Sequence, residues 1–394
     1  MRSTIRKICN TIVTGIFVIL MIYIAFFTEI PRNTGNFIRE KIEENAYSFE
    51  KYSEDFKINQ LSISMNMFYY NLLTEEQKKI YTSIANGVKN FQEEFVVRDY
   101  IAGEKDEFAT QVNIAIEAFT NDHPEVFYLE AQYSSYVVSS FEGNYGYIKL
   151  NYTEETPELI KEKINLMTNN IESYIKDLDG LSDYEKEIKI HDMLSYNVEY
   201  SDSELIPRKY HTAEGALLEN VGVCDSFTKA LQLIYSKAGI NSIIVLGSLD
   251  NNAHAWNLVE IDDEWYHVDL TSSHSIYQET GIVNHAYFNL TTSEIKKIST
   301  IENENILPAT NSVEYNYYLY NGLVIKEDDN MYERLNEICK EFSNENYIEF
   351  FIEGNVSEKI PSILVSLKKI DKSFLDGSKM YYYNIQNAII IPKN

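Results

Sequence analysis

Two extended runs, Ala253 to Ile261 and Glu264 to Leu270, meet at Asp262-Asp263, and this junction restricts the fold more tightly than any other feature of the chain. A two-residue loop fixes the register of the hairpin it closes. Ile261 then lies opposite Glu264, Leu258 opposite His267, Trp256 opposite Asp269 and His254 opposite Thr271. A four-residue loop keeps these pairs; a three-residue loop moves them by one. Side chains alternate between faces along a strand, so His254 and Asp269 share a face. They are diagonal neighbours, with Cα atoms roughly 7–8 Å apart and side chains in reach of each other.

Upstream, Val221-Gly222-Val223-Cys224 reads as a tight turn opening into a helix. Gly222 permits a left-handed turn just before the cysteine. Phe227, Ala230, Leu231, Ile234 and Ala238 recur at helical spacing, and Gly239 suits the position after the helix end. Cys224 therefore falls at a helix N-terminus, where free N–H groups and the helix dipole favour a thiolate and steady a developing oxyanion. Alone, Cys224 reads as a buried core thiol. With His254 and Asp269 after it, the set has the parts of a thiol nucleophile, its base and an orienting carboxylate. Ser242 to Leu246 reads as a strand between them.

His267 shares the face of Asp269 but is placed opposite Leu258, which makes it a supporting residue. A zinc site built from Cys224, His254, His267 and Asp269 lacks any short Cys/His ligand pair, so no metal is expected. His123, His191, His211, His274 and His285 have no partner pattern and read as surface or satisfied core residues.

The chain has 394 residues, room for two or three domains. Lys and Arg number 34 against 60 Asp and Glu, a net charge of −26. That balance excludes nucleic acid as a partner, because phosphate binding needs clustered basic side chains. Arg2, Arg6 and Lys7 precede an uncharged run from Ile8 to Thr28. As a helix this run spans roughly 31 Å, enough for a bilayer core. No small-residue cleavage site follows, so an uncleaved signal anchor is expected over residues 1–30, with its basic flank inside and the rest of the chain outside the cell membrane. Cys9 falls in the anchor, and Cys224 and Cys339 are expected as free thiols.

Residues 31–60 read as a polar stalk. Residues 61–175 read as an N-terminal α+β domain. It has a capping box at Thr74 to Gln77, strands at Tyr133 to Ser139 and Tyr147 to Tyr152 joined through Gly143 to Gly146, and a helix opened by Pro157. Residues 176–305 form the expected catalytic core, with Ser182 capping its first helix. Residues 306–394 read as a small α+β unit: Tyr315 to Leu319 strand-like, Tyr332 to Phe342 helical, Ile348 to Ile352 and Ile360 to Leu367 extended, and Tyr381 to Ile391 a last strand.

Gly222-Val223-Cys224, Ser236-Lys237-Ala238-Gly239-Ile240, His254-Ala255-Trp256-Asn257 and Trp265-Tyr266-His267-Val268-Asp269-Leu270-Thr271 resemble the transglutaminase-like superfamily, its exported, anchored bacterial members above all. The resemblance implies an α+β fold with a papain-like core, and Cys224, His254 and Asp269 as the triad. It implies an oxyanion donor upstream of the cysteine, for which Tyr200 is the candidate, and Trp256 as a wall of the site. The expected reaction is attack on an amide of a peptide or protein, cell-surface and wall-associated ones among the candidates, through a thioester and with no cofactor. A cysteine peptidase or amidase and a non-catalytic surface scaffold are the alternatives. Two positions depart from the family pattern: Asp263 where a turn glycine is usual, and Ser272 where Trp is common.

Overall fold

The computed structural model describes residues 66–374 and 379–393, except residues 99, 142, 154 and 204. The expected anchor at 8–28 and stalk at 31–60 lie outside the described residues. Among the described residues no helix is long and apolar enough to cross a membrane.

Helices Phe68–Leu72, Glu75–Lys89 and Lys105–Asp122 pack beside a three-stranded sheet. In that sheet β3 (Gly143–Tyr152) lies between β1 (Glu94–Val96) and β2 (Leu129–Ser140). Ser140 pairs with Gly143 at the end of this ladder, so Gly143 to Gly146 belong to β3 and not to the expected loop. The Thr74 and Ser182 capping boxes both form, each closing reciprocally with Gln77 or Glu185. Helices Pro157–Ile175 and Asp183–Asn197 then pack on the helix Cys224–Ala238. A short parallel pair, β4 (Glu199–Tyr200) with β5 (Val221–Gly222), leads into that helix.

The helix lies on a four-stranded sheet ordered β8-β7-β6-β9. These strands are β6 (Ser242–Leu249), β7 (Asn252–Ile261), β8 (Glu264–Val268) and β9 (Ser299–Ile301). The β7–β8 register is the expected one: Ile261 faces Glu264 and Leu258 faces His267. Asp262 and Asp263 take φ of 49° and 65°, so aspartate supplies the left-handed turn that a glycine usually would. The ladder stops at Asn257–Val268, one pair short of the expected Trp256–Asp269 pair. There Asp269 leaves the strand to cap the helix Leu270–Ser273.

A second four-stranded sheet closes the molecule, ordered β10-β11-β13-β12. Its strands are β10 (Val324–Ile325), β11 (Tyr347–Ile352), β12 (Tyr381–Tyr383) and β13 (Ala388–Pro392), flanked by helices Met331–Glu341 and Val356–Ile370. Three expectations fail here. Tyr317–Tyr320 is helical, because the Asn316 side chain caps it through the Leu319 N–H. Ile360 to Leu367 lies inside the helix Val356–Ile370, which buries Ile363, Ser366 and Leu367 along one stripe and carries Pro361 in its second turn. Tyr381 to Ile391 breaks into β12 and β13 at a turn where Asn387 has φ 50°. Most buried apolar side chains from Leu73 to Ile391 form one contiguous cluster, with Val96, Val138 and Tyr147 in a small second one.

Candidate active site

Cys224 is the first residue of its helix, after Val223 in extended conformation. Gly222 before it is not left-handed, contrary to expectation. Its role is clearance: a Cβ there would stand 2.4 Å from Ser226 Cβ. Ser226 cannot yield, since its hydroxyl donates to the Thr212 carbonyl (2.6 Å) and accepts from the Ala216 N–H (2.9 Å). The helix is keyed to β7 by two polar contacts: Thr228 Oγ1 donates to the Ala255 carbonyl (3.0 Å), and Asn257 Nδ2 donates to the Thr228 carbonyl (3.1 Å). One turn of helix thus links Cys224 to the strand segment that carries His254.

His254 Nε2 is 2.8 Å from Asp269 Oδ2, and both side chains are buried. Asp269 is held from three further directions. Its Oδ1 accepts the Ser272 N–H (3.0 Å), its Oδ2 accepts the Ser272 hydroxyl (2.6 Å), and its own N–H donates to the Tyr287 carbonyl (3.0 Å). Ser272, where the family pattern has Trp, therefore bonds the carboxylate directly. With Nε2 committed, Nδ1 is the His254 atom left for Cys224.

Burial alone pushes the His254 imidazole down, but the charge and hydrogen bond of Asp269, then a hydrogen bond with Cys224, lift it to about 10. Burial raises the Asp269 carboxyl, and His254 and Ser272 together hold it below the usual carboxylate range. Asp269 thus favours the imidazolium form of His254. Cys224 Sγ also lies 3.6 Å from Asp225 Oδ1.

Trp256 does not line the cleft. It is 1% exposed, and its ring lies nearly parallel to that of His254, with centroids 5.8 Å apart. It backs the imidazole from below. Its indole N–H donates to His267 Nδ1 (2.9 Å), which places the His267 proton on Nε2, 3.2 Å from Thr292 Oγ1. Both nitrogens of His267 are committed to Trp256 and Thr292, and burial pushes its imidazole down to about 3. A zinc site that includes His267 is not assembled.

Cys224 and His254 open on a cleft of about 390 Å³ bordered by Tyr200, Asp202, Asp250 and Gln278. The Tyr200 hydroxyl is pushed up by burial and then by its neighbours Cys224 and Asp202. His274 also borders the cleft, with Nδ1 2.9 Å from Ser195 Oγ; burial pushes its imidazole to about 4, so it is neutral. Nothing in its sequence surroundings marks it. Thr228 and Asn257 were legible in principle, since they follow Cys224 and His254 at fixed, short spacings. His191 and His285 are not isolated, as their sequence context implied: with Asp192 and Glu349 they form a hydrogen-bonded cluster.

Residues 173–270, which hold Cys224, His254 and Asp269, match the family model of the transglutaminase-like superfamily. This part of the mixed α/β structure is transglutaminase-like. Among solved structures, the chain is similar to a candidate cysteine protease from Cytophaga hutchinsonii, at 16% identity and TM-score 0.24, over 36% of this chain and 66% of that one. It is similar to a transglutaminase crystal structure at 13% identity and TM-score 0.28, over 60% and 59%. It is also similar to the periplasmic domain of TgpA from Pseudomonas aeruginosa at 14% identity and TM-score 0.21, over 34% and 55%. The chain thus spans less than two thirds of each of those proteins. No curated protein matches it.

Proposed function

Taking residues 173–270 as a transglutaminase-like core, we propose that the protein is an exported, membrane-anchored thiol acyltransferase acting on peptide or protein amides, with Cys224 as nucleophile, His254 as base and Asp269 as orienter. The observation that carries this reading is the 2.8 Å contact of His254 Nε2 with a buried, fully bonded Asp269, beside a helix-initial Cys224 in the same cleft. Cys224 Sγ attacks the amide carbonyl carbon while His254 Nδ1 takes its proton. The oxyanion is met by N–H groups of the first helical turn and by Tyr200 as a further donor. Collapse transfers the His254 proton to the departing amine and leaves a thioester on Cys224. An incoming amine then attacks, His254 takes its proton, and the thiol is restored. No cofactor enters this cycle. Asp202 and Asp250 at the cleft border favour an acceptor that arrives as an ammonium ion.

A peptide amide incubated with a labelled primary amine separates the outcomes. Incorporated amine supports transfer. Free acid alone makes the protein a hydrolase of the same thiol class. Neither product, with Cys224 and Cys339 alkylated equally slowly, makes it a scaffold. Cys339 is the internal control, because burial pushes its thiol up to about 11 and keeps it protonated. Cys224→Ala is expected to lower turnover by at least ~10⁴-fold, measured with the same assay.

A further inference from the structure

Away from the cleft, His191 and Asp192 on the helix Asp183–Asn197 meet His285 from the segment before β9. His191 Nδ1 and His285 Nε2 approach the same oxygen, Asp192 Oδ1, at 2.9 and 3.0 Å, and the three atoms lie within 4.8 Å of one another. The other nitrogen of His285 is 2.6 Å from Glu349 Oε1 on β11. Glu349 is fixed in turn, since its Oε2 accepts the Tyr318 hydroxyl (3.2 Å) and the His285 N–H (3.3 Å). His191, His285 and Glu349 are buried, whereas the Asp192 side chain is 31% exposed.

We propose that His191 Nδ1, Asp192 Oδ1 and His285 Nε2 bind one divalent transition-metal ion of the zinc class, with Glu349 orienting His285 and a water completing the coordination from the exposed side of Asp192. Three observations lead here. Two imidazole nitrogens and one carboxylate oxygen form a donor set that suits zinc, cobalt or nickel better than the all-oxygen preference of calcium or magnesium. A carboxylate on the remote nitrogen of a ligating histidine is the usual device that fixes its tautomer and orientation. Geometry supplies the third: one ligand atom from each of the three residues falls within 4.8 Å of the other two, close enough to share a single ion.

The ion joins three parts of the molecule. It ties the helix that packs on the Cys224 helix to the 282–290 segment, whose Tyr287 carbonyl holds Asp269, and through Glu349 to the C-terminal sheet. Its role is that of a staple, independent of the thiol chemistry proposed above.

The test uses the full chain carrying Cys224→Ala, so that the cleft thiol cannot ligate, and Co²⁺ as the probe. After removal of free metal, the protein is expected to retain about one Co²⁺ per chain. Its visible d–d absorption should lack a sulfur charge-transfer band. Asp192→Asn, nearly isosteric and partly exposed, is expected to abolish retention, while Glu349→Gln weakens it roughly 10–100-fold. Failure of the Cys224→Ala chain to retain Co²⁺ overturns the proposal and leaves the cluster a proton-bridged link. Equal retention by folded Asp192→Asn, checked by circular dichroism, overturns it too.

Discussion

His254 owes its charge first to Asp269 and then to Cys224. Asp269→Asn keeps the Ser272 cap but removes the negative charge, so burial becomes the dominant influence on the imidazole. Its titration, followed by NMR of the imidazole C–H protons, is expected to fall from about 10 to below the ordinary histidine value. Amide turnover should fall by roughly 10⁴-fold. The same pair stabilises the fold in a defined window: its contribution is full between the ordinary carboxylate range and the unfolded histidine pKa, is lost as pH rises toward about 10, and is lost again at acid pH as Asp269, held below that range, takes up its proton. Glu187 gives a second, separable pH dependence. It is fully buried, accepts from Asn289 Nδ2 (2.9 Å), and burial, opposed by that bond, pushes its carboxyl to about 8. The folded chain holds this proton longer than the unfolded one. Stability is therefore expected to decline from about pH 4.5 to about pH 8, by at most ~1.4 kcal/mol per unit from this group. Glu187→Gln should flatten that part of a denaturation-against-pH profile. Cys224, His254 and Asp269 were legible at this scale because short-range rules place them, a helix start and a hairpin register. Glu187, Ser272 as a carboxylate donor and His274 were not, because their partners come from elements distant in sequence.

Among the elements, those with chemically explicit ends were readable. Thr74, Ser182 and Gly239 mark helix boundaries by hydrogen bonding or by left-handed backbone, independently of the tertiary fold. Errors arose where residue preference and local capping disagree. Tyr317 to Tyr320 favours a strand by composition, yet a single Asn316 cap sets it as a helical turn. The run around Pro361 reads as extended, but the Asn355 cap and the single buried stripe keep it helical. Gly222 was marked for the wrong reason, and the corrected reason makes a prediction. Gly222→Ala drives a methyl into Ser226 next to the Cys224 helix start, so it should cost about 1–3 kcal/mol in denaturant unfolding. Alkylation of Cys224 is expected to slow in parallel, because the same displacement moves the helix end.

Over the whole molecule, the C-terminal sheet is an integral part of the core. Gln386 Nε2 donates to the Ala286 carbonyl (3.2 Å), and Lys297 Nζ donates to the Ile385 carbonyl (3.1 Å). A chain stopped after residue 380 loses β12 and β13 and bares one edge of β11. It is expected to lose cooperative thermal unfolding and to aggregate, as measured by calorimetry and light scattering. Long-range architecture of this kind was the least legible level, since a four-stranded sheet assembled from residues 324 to 392 has no local signature of its strand order. That order carries a temporal consequence. β13, synthesised after the other three strands of its sheet, takes an interior place between β11 and β12. Glu349 on β11 therefore cannot be sealed against His285 until synthesis has passed residue 388. The Cys224 helix and the His254 hairpin are complete more than a hundred residues earlier. A nascent chain released too soon would carry its thiol on an unlocked scaffold, open to proteolytic clearance before it can act.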